Sequence, residues 1–163
     1  MTGTIEAIWL RPAARSPVEA VTHATAIADQ GLVGDHAVGG RRQITILSRE
    51  AWDSACHTFG SALDPRFRRA NVMIAGVDLA AAIGCELHLG LVRVAITGET
   101  RPCELMDDHG HLGLQAALRE GQRGGVYGRI LNGGELRVGM TCRVIAKPMA
   151  GKEPPSPTQP QSL

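Results

Sequence analysis

Branched and apolar residues recur along this chain in short alternating runs, and each run is cut off by a glycine-bearing break. Alternation at two-residue spacing is the pattern of strands that bury one face. Such runs cover Thr4–Leu10, Val18–Ile27, Gln43–Leu47, Asn71–Ala75, Glu86–Leu89, Leu91–Ile96, Gly125–Leu131, Glu135–Val138 and Thr141–Ile145. Helical spacing is confined to a few places. Ser48 is a plausible N-cap for a helix through Phe59, with Trp52, Ala55, Cys56 and Phe59 on one face. A short helical turn is expected at Asp78–Ile83, and a second helix at Leu112–Glu120, closed by Gly121. Asp29–Gly40 holds too many glycines for regular structure, and Asn132-Gly133-Gly134 has the composition of a tight hairpin turn. Many short strands with two or three interposed helices predict a mostly β fold, a closed or nearly closed β-barrel with helical decorations. The regular strand–helix alternation of a doubly wound sheet is missing. Residues 1–147 read as one domain, and 148–163 as a proline-rich disordered tail that cannot bury a core.

Composition narrows the function. The formal net charge is +1 and aromatic residues make up 3% of the chain, so neither a global field nor stacking platforms favour nucleic acid. No apolar run approaches membrane-spanning length, and no secretory leader is recognisable at the start. The four cysteines lack the paired spacing of a zinc ribbon or a disulfide framework, so free thiols in a reducing cytoplasm are expected. Of the seventeen basic residues only Lys147 and Lys152 are lysines. A GC-rich genome explains much of that bias, and the forked guanidinium's affinity for oxyanions is the functional alternative.

Cys56, Cys85 and Cys142 fall in helical or strand patterns that read as packing. Cys103 differs. It follows the alternating run ending at Ile96 and the break Gly98-Glu-Thr-Arg-Pro102, so it stands past a strand end beside Arg101. A neighbouring guanidinium favours the thiolate, the form that acts as nucleophile or soft-metal ligand. Read on its own, the stretch also fits a core cysteine in a β-bulge. Gly39-Gly-Arg-Arg42 and Arg123-Gly-Gly-Val-Tyr-Gly128 match no nucleotide motif. Both set an arginine beside backbone open to close approach, a natural anion site, and turn chemistry explains them equally well. His36 beside Asp35 has the residues of a general base or of a simple turn. Asp107-Asp-His-Gly-His111 offers metal ligands without a known spacing, or a polar loop before a helix.

Several stretches, in order, resemble the MOSC domain, named for the C-terminal domain of molybdenum cofactor sulfurase. They are Gly31-Leu-Val-Gly-Asp35-His36, Arg42-Gln-Ile-Thr-Ile-Leu-Ser48, Arg69-Ala-Asn71-Val-Met-Ile-Ala-Gly76, Thr100-Arg-Pro-Cys103 and Arg123–Leu131 with Gly133–Gly139. Ala70 stands where the family usually has an acidic residue, and Met140 where an Asp is common. The resemblance implies a barrel built around one functional cysteine and association with the molybdenum cofactor (molybdopterin). It implies that Cys103 is a sulfur (persulfide) carrier or the molybdenum ligand, and that Arg42, Arg69, Asn71 and Arg101 line the cofactor pocket. Asp35, His36 and Arg123 lie in matching motifs and are expected there too. Also implied is a sulfur-donor partner, or an electron donor if the domain reduces N-hydroxylated compounds. A non-catalytic pterin- or anion-binding module is the alternative from another class.

Overall fold

The computed structural model describes residues 2–107 and 111–146. The tail expected from Pro148 lies outside them. Eleven strands are described: β1 Thr2–Leu10, β2 Glu19–Val21, β3 His23–Ile27, β4 Gly31–Leu32, β5 Ile44–Ser48, β6 Val72–Ala75, β7 Glu86–Leu89, β8 Val92–Glu99, β9 Val126–Ile130, β10 Gly134–Arg137 and β11 Thr141–Ile145. Two α-helices join them, α1 Arg49–Phe59 and α2 Leu114–Arg119, with short 3-10 turns at Pro65–Arg68, Ala80–Ala82, Glu104–Asp107 and Glu120–Gln122. The strand order is β11-β7-β8-β9-β5-β6-β1, and β11 pairs back onto β1 to close a seven-strand barrel; β2 extends from β1. Strands β10, β3 and β4 form a second, three-stranded sheet. The expected closed barrel is therefore confirmed.

Alternation explains the closure. Ile44 and Ile46 of β5, Val72 and Ile74 of β6, Leu87 and Leu89 of β7, and Val92, Val94 and Ile96 of β8 all point into one buried cluster. Complete burial of such side chains contributes roughly 1.5–3 kcal/mol each. The opposite face of the same strands supplies a second core: Leu47 and Met73 pack under Trp52, Ala55 and Cys56 of α1 and Leu114, Ala117 and Leu118 of α2. Cys56 and Cys142 are buried, as their patterns predict.

Among the described strands one barrel pair is parallel, β5 with β6, in the register Ile46↔Val72. A parallel pair requires a crossover connection. Here the crossover is α1 followed by the Pro65–Arg68 turn, and it brings Arg68, Arg69 and Asn71 to the start of β6. Helix α1 starts where expected: the Ser48 hydroxyl accepts from Ala51 N–H at 3.1 Å, and Gly60 closes it at φ 96°. The 3-10 turn is capped by Asp64, which accepts from Arg66 N–H at 2.9 Å. It ends at Arg69, whose φ of 63° is left-handed.

Three local expectations need correction. The run Val18–Ile27 is not one strand: it breaks at Thr22, where the chain passes from the barrel to the small sheet. Thr22 C=O accepts from Val138 N–H at the break. The glycine-rich segment contains the short strand β4. Asn132-Gly133-Gly134 is not a hairpin turn, because β9 pairs with β5 and β8 whereas β10 pairs with β3. The Asn132 side chain instead binds the β7–β8 turn, accepting from Arg93 N–H at 2.6 Å and donating to Leu91 C=O at 3.0 Å.

Candidate functional site

Cys103 is exposed, and it opens on a cleft of about 380 Å³. Its segment leaves β8 at Glu99 and is tied at several points. Thr100 N–H donates to Gly125 C=O at 2.9 Å, and Thr100 C=O accepts from Arg68 Nη2 at 2.7 Å. Further on, Pro102 C=O accepts from Gln115 Nε2 of α2 at 3.2 Å. Proline itself is buried, so the thiol is held outward by a fixed base.

The same cleft is walled by Arg11, Arg42, Arg68, Arg69 and Arg101, with His36 at its edge. Arg11, at the end of β1, is the one held by a carboxylate. Its Nη2 donates to Asp35 Oδ2 at 3.0 Å and its backbone N–H to Asp35 Oδ1 at 2.7 Å. Burial alone would raise the Asp35 pKa, but the hydrogen bonds and charge of Arg11, with Ala37 N–H, hold it below the ordinary value. Asn71 is completely buried behind this pair. Its Oδ1 accepts from Thr45 N–H at 3.1 Å, Thr45 Oγ1 at 3.2 Å and Arg11 Nη2 at 3.3 Å. Its Nδ2 donates to Asp35 Oδ1 at 3.1 Å and Trp9 C=O at 3.3 Å. Asn71 and Asp35 thus position Arg11 and Thr45 rather than lining the cleft.

Arg68 is buried at 9% exposure. Its Nε donates to Gly124 C=O at 2.9 Å, and with the Nη2 bond to Thr100 it fastens the Cys103 segment to the start of β9. Burial draws its pKa down to about 10, with Arg42 reinforcing the shift and Cys103 and Glu99 opposing it. Gly124 is required at this junction: a Cβ there would lie 2.5 Å from Thr100 O and 3.3 Å from Arg68 Nη2. Arg42 rests over the Tyr127 ring, 5.0 Å from its centroid. Among the described residues Arg42, Arg68, Arg69 and Arg101 have no carboxylate in ion-pair contact. The Thr100 hydroxyl in the same wall is buried with no hydrogen-bond partner.

A wider cleft of about 930 Å³ shares Arg11, His36 and Arg69 with the first. Its apolar lining includes Val18, Phe67 and Met106. Arg15 and Arg69 both line it with left-handed backbone, φ 66° and 63°. Such geometry is strained for arginine and recurs at functional sites. Arg69 also donates from Nη1 to Ser16 C=O, tying the Arg15 turn to the crossover.

Of the residues expected in the site, Cys103, Arg42, Arg69, Arg101 and His36 converge on the cleft, and Asp35 and Asn71 support it. Arg123 lies elsewhere, donating to Thr58 Oγ1 at 2.9 Å and Ala117 C=O at 3.3 Å and lining a separate cavity. Thr100 and Gly124 lay in quoted stretches without being given a role of their own, whereas Arg11 and Arg68 escaped the sequence reading. Arg68 adjoins the matched Arg69, which was the only local hint. Of the Asp107–His111 segment, Asp107 accepts from Gln115 N–H at 2.8 Å at the start of α2, and residues 108–110 lie outside the described part. No group of three metal-binding side chains occurs among the described residues.

A model of the MOSC domain matches residues 33–143. The chain belongs to the MOSC domain family. The family is associated with molybdenum-cofactor-sulfurase-like proteins. Arg11 and Arg15 fall before the matched span. Among solved structures, the YuaD protein of Bacillus subtilis superposes with a TM-score of 0.75 at 19% identity, over 88% of this chain and 96% of that one. YiiM of Geobacillus stearothermophilus gives 0.73 at 18% identity, over 91% and 77%. YiiM of Escherichia coli gives 0.65 at 15% identity, over 90% and 71%. At these identities the likeness is one of fold. No curated protein matches the sequence. No described helix of this MOSC domain is long and apolar enough to cross a membrane.

Proposed function

We propose that this MOSC domain binds the molybdenum cofactor, with the Cys103 thiolate as the molybdenum ligand. The observation that carries the reading is an exposed thiol set in a concave wall of five arginines, of which Arg42, Arg68, Arg69 and Arg101 have no carboxylate in ion-pair contact among the described residues. The residues fit the group chemically. A soft thiolate suits molybdenum, and unpaired guanidiniums with an unsatisfied Thr100 hydroxyl suit an anionic ligand. When bound, the cofactor would supply a redox-active metal at the thiol end of the cleft.

The chain's own residues divide the work. Cys103 presents its sulfur from a segment fastened by Arg68 and Gln115. Arg42, Arg69 and Arg101 oppose the ligand's negative charge. Asp35 and Asn71 hold Arg11 between the two clefts, and His36 stands at their shared edge. The wider cleft, with Val18, Phe67 and Met106, offers apolar contact for a flat ring. Ligation is favoured over transient sulfur carriage because a carrier needs only an accessible thiol, whereas this thiol sits in a fixed cationic recess.

The test is expression in a host that makes the cofactor, followed by metal analysis and fluorescence of the oxidised pterin. Wild type is expected to carry both, and Cys103→Ser to lose the molybdenum. A wild-type protein with neither would overturn the reading. A mass gain of one sulfur atom on Cys103, without molybdenum, would instead assign sulfur carriage. Reduction of N-hydroxylated compounds needs an added electron donor and is assayed on the loaded protein.

A further inference from the structure

Residues 12–17, between β1 and β2, border the wide cleft, and Ala14, Arg15 and Pro17 line it. The segment buries little: Pro12, Ala13, Ala14, Arg15 and Pro17 are exposed and Ser16 is half-buried. It is nevertheless built as one piece. Pro12 and Pro17 fix φ at its two ends. Between them the Ser16 hydroxyl accepts from Ala13 N–H at 3.1 Å and donates to Ala13 C=O at 2.8 Å. Its base is anchored at Arg11, whose C=O accepts from His36 N–H at 2.7 Å and whose N–H donates to Asp35. Among the described residues a single hydrogen bond joins residues 12–17 to the rest of the chain, from Arg69 Nη1 to Ser16 C=O. Arg15 and Arg69, on the two sides of this contact, both carry left-handed backbone, which a residue with a side chain keeps only where its surroundings impose it. A segment with no buried apolar side chain and one tie opens at low cost. The crossover side of the cleft is fixed by comparison: Asp64 and Arg66 pair at 2.7 Å, and the Phe67 ring packs edge-on to His111 with centroids 4.6 Å apart.

We propose that residues 12–17 form a strap that gates the wide cleft, latched shut by Arg69 on the Ser16 carbonyl. Opening moves Arg15 and Pro17 away from the lining they share with Phe67 and Met106, so the latch sets the size of molecule that reaches the apolar part of the cleft. Arg69 lines the Cys103 cleft as well, so one guanidinium ties access on one side to ligand contact on the other. The gate rests on the strap's own bonding and not on which ligand the cleft holds.

The test uses the full chain with two probes read by peptide mass. Trypsin reports the strap, because Arg15–Ser16 is its one cleavable bond; Arg11 precedes proline and is resistant. A protease needs an extended segment, which the left-handed Arg15 and the held Ser16 carbonyl deny it, so cleavage follows the open population. Oxidation by tert-butyl hydroperoxide reports the cleft through Met106, which lines it at 5% exposure, with the core residue Met73 as control. Arg69→Ala is expected to speed both cleavage at Arg15 and oxidation of Met106 about tenfold, as loss of a hydrogen bond from a charged donor does. Arg69→Lys, which keeps a donor for Ser16 C=O, should recover most of both rates. Pro17→Gly, which frees one end of the strap and leaves Arg69 in place, should move both rates in the same direction. Rates unchanged in Arg69→Ala and Pro17→Gly, or faster cleavage at Arg15 with Met106 unaltered, overturn the gate. An equal rise at Arg129 within β9 would mean global unfolding and overturns it too. A chain that holds molybdenum but shows none of these changes defeats this inference alone. A gated chain that never holds molybdenum or pterin defeats the cofactor reading alone.

Discussion

Asn71→Ala tests whether the cleft is built from behind. Asn71 is fully buried, and its side chain makes five hydrogen bonds, to Thr45 N and Oγ1, Arg11, Asp35 and Trp9. Truncation leaves Thr45 N–H buried without its acceptor, which costs about 1–3 kcal/mol. It also removes a donor from Trp9 C=O and opens a small cavity. Arg11 and Asp35 keep each other, so their pair is loosened rather than broken. The sum is about 3–5 kcal/mol, and for a chain of this length that corresponds to a Tm lower by roughly 10 °C. Urea unfolding with a shared m value measures it directly. The near-isosteric Asn71→Asp sharpens the test. It keeps the acceptor for Thr45 but replaces the donor to Asp35, now 3.1 Å away, with a second carboxylate. That variant should be destabilised at pH 7 and recover part of the loss on acidification, as one of the two carboxyls takes up a proton. A loss below about 1 kcal/mol for Asn71→Ala, beneath the cost of even one buried orphan, would refute the reasoning.

Other outcomes follow from single contacts. Asp35 has its pKa lowered in the folded state, so its contribution is present above the ordinary value of 3.8 and is lost as pH falls through the folded value; Asp35→Asn should flatten the acid limb of the stability–pH curve, measured by urea midpoints from pH 7 to pH 2. Gly124→Ala should cost about 1–3 kcal/mol by overpacking against Thr100 O and should lower bound pterin although Cys103 is untouched. Cys142 is buried, and burial raises its thiol pKa; it should resist iodoacetamide in the native chain, and Cys142→Ala should cost roughly 1 kcal/mol without changing cofactor content.

The barrel was legible because its strands announce themselves twice, by branched residues and by period-two burial. Thr141–Ile145 and Glu86–Leu89 were placed to the residue, and Ser48 was identified as the cap of α1. Strand pairing was not legible. Asn132-Gly133-Gly134 has hairpin composition, yet β9 and β10 belong to different sheets, because register is set by partners distant in sequence. The candidate site divides the same way. Cys103, Arg42, Arg69 and Arg101 were found through ordered motifs, and the structure brings them to one cleft.

The sequence by itself determined the fold class and the N-cap of α1 and set Cys103 apart from the other three cysteines, since each depends on neighbours within a few residues. Tertiary structure decided which arginines stand with that thiol. Arg11 comes from the end of β1 and Arg68 from the crossover between parallel strands, and closing the barrel brings both to Cys103, whereas Arg123, set in an equally suggestive glycine motif, faces another cavity. Charge and spacing along the chain are identical for a guanidinium that faces the cleft and one that does not; only the direction imposed by packing separates them.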